Sequence, residues 1–241
     1  MADEQPRAEA HILLPALKVE RVYDALQHVY GPLKWKPHHD PLSELVLTIL
    51  SQHTSDTNRD RAFATMRERF PTWEEVRDAP THELAGAIKS GGLSNIKAPR
   101  IQQVLRQIGE ERGGKLDLDF VTGMAVEEAK AYLARFRGVG PKTAACVLMF
   151  ACGMPVMPVD THVHRVSGRL GLIGPRTNAE QAHDELETIV PPDKRYSFHI
   201  YLIWHGRQIC KAQRPLCEMC PIATWCDYYA RTTDAYHAVK P

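Results

Sequence analysis

Four cysteines near the carboxyl end constrain the fold of this chain more than any other feature. They are spaced as Cys210-x6-Cys217-x2-Cys220-x5-Cys226, so four thiols lie within 17 residues. Thiolate sulfurs bind soft metals and iron–sulfur clusters, and four of them complete the coordination set of either. Disulfide pairing is the alternative, but the thiols of an intracellular protein are kept reduced. The spacing leaves zinc and iron both open, although zinc sites usually carry two separated C-x2-C pairs and this segment carries one.

Composition and the first residues favour a globular protein of the cell interior. Hydrophobic residues make up 44% of the 241 residues and charged residues 24%, which are ordinary values for a folded domain. The longest apolar runs, such as 144–151, are too short to cross a bilayer. The amino-terminal residues lack the apolar stretch of a signal peptide and are too acidic for a transit peptide. We therefore expect an intracellular protein without a membrane partner.

Apolar residues recur with helical periodicity along almost the whole chain. Asp40 and Pro41 are the expected N-cap and first residue of one helix. Prolines and glycines separate the helical stretches, and no segment alternates convincingly as a strand does. The sequence predicts an all-α fold with about ten helices. These lie at about residues 19–30, 42–50, 57–70, 82–90, 97–112, 126–136, 141–152, 161–171, 178–190 and 193–209.

Basic residues are segregated along the chain. Residues 129–179 contain seven Lys and Arg and one Asp, and residues 194–214 contain five Lys and Arg and no acid, although the whole chain has a formal charge of only +1. Such segregation is typical of a surface that binds a polyanion such as nucleic acid. The alternative is a chance arrangement that folding scatters over the surface.

The segment Arg137–Ala144 has the pattern of a helix–hairpin–helix. One predicted helix ends near Phe136, two glycines make the turn, and the next helix begins at Pro141. The turn leaves backbone N–H groups pointing outward beside a helix N-terminus, which is a site for a DNA phosphate. An ordinary turn between helices, with a glycine C-cap, is the alternative. The candidate DNA contacts of the turn are Gly138, Val139, Gly140 and Thr143.

Lys142 and Asp160 are the candidate catalytic residues. Lys142 lies in the first turn of the second hairpin helix, among bases and near a positive helix end, which favours a nucleophilic amine. Asp160 follows a proline-flanked loop at an expected helix N-terminus, where a carboxylate is stabilised and can act as a base or stabilise a developing cation. A phosphate contact for Lys142 and a simple N-cap for Asp160 are the alternatives.

Together these motifs resemble the endonuclease III family of the helix–hairpin–helix glycosylase superfamily. The resemblance covers about residues 17–229 and implies a [4Fe–4S] cluster on Cys210, Cys217, Cys220 and Cys226. It also implies two domains with the active site in the cleft between them. These are a six-helix barrel at 34–154, with the hairpin at about 126–152, and a discontinuous cluster domain at 1–33 and 155–241. The segments that carry the resemblance are 50–56, 92–98, 138–144, 159–166, 205–207 and the four cysteines.

The resemblance also implies an activity. Lys142 matches the family's Schiff-base lysine and Asp160 its catalytic aspartate. The implied function is base excision repair by a bifunctional DNA glycosylase/AP lyase that removes oxidised pyrimidines and cuts the strand by β-elimination. We expect double-stranded DNA with damaged pyrimidines or abasic sites as the partner, a monomer, and a cytoplasmic, nucleoid-associated location. The alternatives are a non-catalytic or weakly active damage-binding protein, against which Lys142 and Asp160 argue, and a mismatch-type glycosylase of the same superfamily.

Two positions depart from the family pattern: one bears on the approach to the hairpin, and the other, at His53, bears on the lesion range and on the preference for the opposite base. Phe136-Arg137 precedes the hairpin turn where the family usually has Leu-Pro. His53, with Gln52 beside it, stands where the family usually has a glutamine that fills the gap left by the flipped nucleotide. Leu93 matches the family's other wedge residue. The remaining expected DNA contacts are Gln52, His53, Leu93, His162, Lys211 and Arg214.

Overall fold

The computed structural model describes residues 14–239, and their side chains as far as residue 233. This part of the chain contains α-helices and short 3-10 turns and no strand, which confirms the all-α prediction. The helices are α1 (Pro15–Tyr30), α2 (Pro41–Ser51), α3 (Asp56–Arg69), α4 (Trp73–Asp78), α5 (Thr81–Ala87), α6 (Ser94–Glu111), α7 (Val126–Ala134), α8 (Pro141–Phe150), α9 (Thr161–Leu170), α10 (Gln181–Ile189), α11 (Arg195–Gln208) and α12 (Asp227–Val239).

The described residues form two compact units. One unit joins α1 to α9–α12 and so contains residues from both ends of the chain. Lys18 ties these ends together, because its buried Nζ donates to the backbone oxygen of Leu170 at 2.8 Å and to Asp227 Oδ1 at 2.6 Å. The core beneath this contact is aliphatic and aromatic, and includes Leu26, Val163, Val166, Phe198 and Tyr201.

The second unit runs without interruption from Lys36 to Met154 and contains α2–α8. This is seven α-helices where six were expected; the additional one is the short α4. α2 and α8 pack against each other and are buried along most of their length. Each fully buried Leu or Ile contributes about 1.5–3 kcal/mol, so these two helices provide much of the stability of the unit.

Two helices were not predicted. α4 begins with a capping box in which the Thr72 hydroxyl accepts from the Glu75 N–H and the Glu75 carboxylate accepts from the Thr72 N–H. α12 follows the last cysteine. Asp40 caps α2 and Pro41 is its first residue, as predicted. Within residues 14–239 no helix combines the length and the apolarity that crossing a membrane requires.

Candidate active site

The predicted hairpin turn is present between α7 and α8. Gly138 has φ +83°, and the N–H of Val139 donates to the Phe136 oxygen at 3.0 Å. Gly140 is the N-cap of α8 and has no side chain with which to cap it, so the positive helix end is left open to an anion. The Val139 side chain is buried, and the Val139 amide is used in the hydrogen bond to Phe136. Phe136 is one of the two residues before the turn that differ from the usual family pattern. It is almost fully buried and packs edge-on against Tyr132.

Gln52 links this turn to α6 and α8 by hydrogen bonds. Its Nε2 donates to the Gly138 oxygen at 3.2 Å and lies 3.5 Å from Thr143 Oγ1, and its Oε1 accepts from Arg100 Nη1 at 2.8 Å. A Cβ on Gly138 would come within 2.4 Å of Arg100 Nε, so position 138 requires glycine for its neighbour as well as for its φ. Gln52, predicted as a DNA contact, is therefore bound to the hairpin in this structure, and Arg100 is a member of the site that sequence reasoning missed.

Lys142 is half-buried at the second residue of α8, and a buried carboxyl group lies near it. Glu44 on α2 is only 4% exposed; its Oε1 accepts from Thr48 Oγ1 at 3.5 Å, and its Oε2 has no hydrogen-bond partner among the described residues. Burial raises the pKa of Glu44 to about 7, and Asp40 adds to the rise, while the charges of Arg59 and Lys142 oppose it. Sequence reasoning missed Glu44, because an acid inside an apolar helix gives no local sign of what it faces.

The raised pKa of Glu44 predicts a pH-dependent stability. Between about pH 4.5 and 7 the native protein retains a proton that the unfolded chain has released, so this group's contribution to stability is lost as the pH rises through that window. Glu44→Gln removes the titration. From pH 5 to pH 8, we expect the melting temperature of Glu44→Gln to rise relative to that of the wild type. The change corresponds to at most about 3 kcal/mol in the free energy of unfolding. Exposed Glu128→Gln is the control, and parallel melting curves for Glu44→Gln and wild type would contradict the assignment.

Asp160 is the N-cap of α9, as its sequence position predicts. Its Oδ1 accepts from the Val163 N–H at 2.7 Å, so the carboxylate is held at the positive end of the helix. His162, in the first turn of α9, has Nδ1 3.1 Å from Arg165 Nη2. Burial lowers the pKa of His162, which favours a neutral ring that accepts from the guanidinium.

Three non-glycine residues of the described chain have positive φ angles, and all three were predicted DNA contacts. They are His53 at +55°, Leu93 at +50° and Arg214 at +50°. Such backbone strain is concentrated at functional sites, where the surrounding structure maintains it. The Leu93 side chain is 50% exposed, so Leu93 is not part of the core. Ile96, one turn later, is 53% exposed and adds a second apolar group that the sequence did not single out.

The four cysteines line one cavity in the unit that contains both chain ends, and all four are free thiols. Among the described residues, no three His, Cys, Asp or Glu side chains lie close enough together to bind one metal ion. The four cysteines instead line different parts of the cavity wall. Burial raises the pKa of Cys220 to about 12, and the other three thiols oppose its ionisation further. Once deprotonated, the four sulfurs repel one another unless a cationic centre lies between them. This set of four sulfur donors therefore fits a metal cluster.

The protein supplies hydrogen bonds to these sulfurs and supports the adjoining loop. Arg169 Nη1 donates to Cys210 Sγ at 3.3 Å, and His205 Nε2 lies 3.4 Å from Cys220 Sγ. Arg169 also donates to the Lys211 oxygen at 2.7 Å and to the Ala212 oxygen at 3.0 Å. The predicted phosphate contacts Lys211 and Arg214 are exposed on the loop that Arg169 holds. From the sequence alone, Arg169 is only one of the seven basic residues within 129–179.

Comparisons with known proteins agree with this arrangement. Residues 46–192 match the HhH-GPD superfamily of base excision DNA repair proteins, and residues 210–226 match the iron–sulfur binding domain of endonuclease III. The second match decides between zinc and iron in favour of iron–sulfur.

Individual relatives extend the likeness over most of the chain. The chain is 36% identical to endonuclease III of Thermotoga maritima over 80% of its own length and 85% of the relative's. It is 38% identical to an Arabidopsis thaliana protein named as a DNA glycosylase, over 70% of its length, and spans 57% of that longer protein. A solved structure of a trapped endonuclease III–DNA covalent intermediate matches with a TM-score of 0.77 at 27% identity, covering 92% of this chain and 100% of that one.

Proposed function

The chain belongs to the endonuclease III family of base excision repair DNA glycosylases, which carry a [4Fe–4S] cluster, and on that premise we propose that it is a bifunctional glycosylase/AP lyase for oxidised pyrimidines in double-stranded DNA. It acts as a monomer at the nucleoid. Residues 36–154 serve as the barrel domain, and the unit built from both chain ends serves as the cluster domain, with Cys210, Cys217, Cys220 and Cys226 as the cluster ligands.

One observation carries the lyase assignment. Lys142 is the second residue of the helix that follows the Gly-Val-Gly turn, where the phosphate-binding end of α8 and a half-buried primary amine occur together. Phosphate binding alone requires the amides but not this amine. Trapped covalent intermediates with DNA are formed by a protein of the same fold, which supports a covalent step here.

The chemistry uses two side chains. The Lys142 amine attacks C1′ of a flipped-out nucleotide, the bond from C1′ to the base breaks, and the base leaves with the bonding electrons and takes up a proton. The Asp160 carboxylate stabilises the positive charge that builds up on the sugar. The lysine nitrogen then loses a proton, the bond from C1′ to the ring oxygen O4′ breaks as O4′ takes up a proton, and the nitrogen lone pair forms a protonated imine with the opened sugar. Removal of a 2′ proton expels the 3′ phosphate, and water releases the lysine.

The iron–sulfur cluster would be held by Cys210, Cys217, Cys220 and Cys226, and by linking them it would keep the loop between Cys210 and Cys217 in shape. The contribution of the chain itself is Arg169, which fixes that loop through two backbone oxygens. Lys211 and Arg214 on the same loop are proposed to contact phosphates of the DNA backbone.

Leu93 and His53 are proposed to fill the space that the flipped nucleotide leaves. Opening the stack costs a few kcal/mol, and an exposed leucine on a strained loop replaces part of the lost stacking. Leu93→Ala and His53→Ala are each expected to slow cleavage of duplex abasic DNA by roughly 10- to 100-fold, the equivalent of about 1–3 kcal/mol.

On single-stranded abasic DNA the same variants should retain the wild-type rate, because no base pair has to be replaced. Both rates are measured by gel electrophoresis of end-labelled oligonucleotides, with the melting temperature of each variant as a control for folding. A loss of the same size on both substrates would contradict the wedge function.

The substrate range is tested with a panel of duplexes that each contain one lesion. We expect release of oxidised pyrimidines and cleavage 3′ to the site, and little action on a thymine mispaired with guanine. Cleavage of the abasic duplex alone would reduce the function to AP lyase. Tight binding without any cleavage would favour the damage-binding alternative, for which the His53 departure is the specific observation.

A further inference from the structure

One buried ammonium group joins the two loops that carry His53 and Leu93. The Lys97 side chain, on α6, is 1% exposed. Its Nζ donates to the Leu50 oxygen at 2.7 Å and to the Gly91 oxygen at 2.8 Å. Leu50 lies in the last turn of α2, three residues before His53, and Gly91 lies two residues before Leu93, so each hydrogen bond is made just before one of the two loops.

The main chain of Lys97 holds the second loop as well. Its N–H donates to the Leu93 oxygen at 2.9 Å, so Leu93 is fixed directly while Gly91 is fixed through the side chain. A non-glycine residue in the left-handed region costs about 1–2 kcal/mol and remains there only where neighbouring contacts maintain it. Lys97 makes one such contact directly at Leu93, and its contact on the other side lies three residues before His53.

Stability alone does not account for a lysine at this position. Burial lowers the pKa of Lys97, and the nearby charge of Arg100 lowers it further, so the site disfavours the charged form. Neither of its two hydrogen-bond acceptors is a carboxylate. A buried ammonium that binds two carbonyl groups provides a rigid connection between them at the expense of its own hydration.

From these contacts we infer that Lys97 is a positioning residue for duplex opening, which holds the His53 and Leu93 loops at a fixed separation so that both side chains enter the base stack together. The inference rests on the proposed function. It adds a residue that touches neither the DNA nor the reacting atoms.

The test compares Lys97→Met with a matched variant on the same helix. Gln102 is also fully buried on α6 and donates to three backbone oxygens, those of Val76, Arg77 and Ala79, in a different part of the unit. Gln102→Leu therefore removes a comparable buried polar anchor without touching either loop. Two readouts are taken for each protein: single-turnover cleavage of abasic DNA as duplex and as single strand, and the fluorescence of 2-aminopurine placed opposite the abasic site, which rises when that base unstacks.

Lys97→Met is expected to lose at least about tenfold on duplex and no more than about twofold on single strands, since an ångström of misplacement can cost up to 10²-fold. Its 2-aminopurine signal should fall, whereas Gln102→Leu should lose both activities in proportion to its stability and keep the wild-type signal. Should Lys97→Met not fold, Lys97→Arg, which keeps the donors but displaces the two carbonyls, is expected to show the same duplex-selective loss at smaller size.

Equal losses on the two substrates, or an unchanged fluorescence signal, would overturn the inference and leave Lys97 as a stabilising residue only. If the wild-type protein cuts neither substrate, the proposed lyase activity fails by itself. The fluorescence comparison then still decides whether Lys97 positions the loops that open the duplex.

Discussion

Lys142→Gln is expected to abolish the covalent adduct that borohydride traps between the protein and abasic DNA, and to lower strand cleavage by roughly 10³-fold or more, because the nucleophile is removed. Binding to the same DNA should remain within about threefold, since the hairpin amides and the open end of α8 are unchanged. Trapping is measured by denaturing gel electrophoresis and binding by fluorescence anisotropy.

Lys115→Gln is the matched control for this substitution. Lys115 is an exposed lysine of the same unit, and its Nζ pairs with Asp117 at 2.7 Å. The control should trap as wild type does. An undiminished adduct with Lys142→Gln would move the nucleophile to another amine, and a parallel loss of DNA binding would assign Lys142 to a phosphate contact instead.

Cys220→Ser is expected to lose the iron–sulfur cluster and with it the structure of the segment that follows α11. Between Ile209 and Asp227 the chain forms only two short 3-10 turns, and nearly all backbone hydrogen bonds within this segment join residues two or three positions apart, so they do not hold the segment in place without a metal centre. The wild type should contain about four iron atoms per chain and absorb broadly in the visible range. The variant should lose most of both, and should become sensitive to proteolysis between residues 209 and 227.

Cys152→Ser controls for the loss of a thiol, because Cys152 is a half-buried free cysteine of the other unit. It should retain full iron content and the wild-type digestion pattern. Full iron content in Cys220→Ser, or a colourless wild-type protein with stoichiometric zinc, would contradict the ligand assignment.

Local sequence signals predicted those parts of the fold and site that depend on residues close together in the chain. Asp40 and Asp160 as N-caps, and the Gly138 turn before Pro141, each need only a few neighbouring residues, and the structure has all of them. The helix α4 was missed although its capping box is also local, because six residues are too few for a helical period to stand out.

The contacts that shape the site join residues far apart in sequence, and no local pattern reveals them. Gln52 reaches Gly138, 86 residues away, and Lys97 reaches Leu50, 47 residues away. Glu44 is unusual only because α2 is buried on almost all sides, which depends on the packing of α8 against it. Lys142 and Asp160 can be proposed from their positions at helix ends and from the likeness to a known family, whereas the contacts of Arg100 and Lys97 and the burial of Glu44 are visible only in the folded chain.

The most direct test of the central claim is to map the attachment site of the trapped adduct in the wild-type protein. The borohydride-reduced complex with abasic DNA is digested with nuclease and protease, and the peptide that retains the sugar fragment is sequenced by mass spectrometry. We predict the modification on Lys142 alone, within the peptide that contains the Gly-Val-Gly turn. Modification of the amino-terminal amine or of any other lysine would contradict the assignment of Lys142 as the nucleophile.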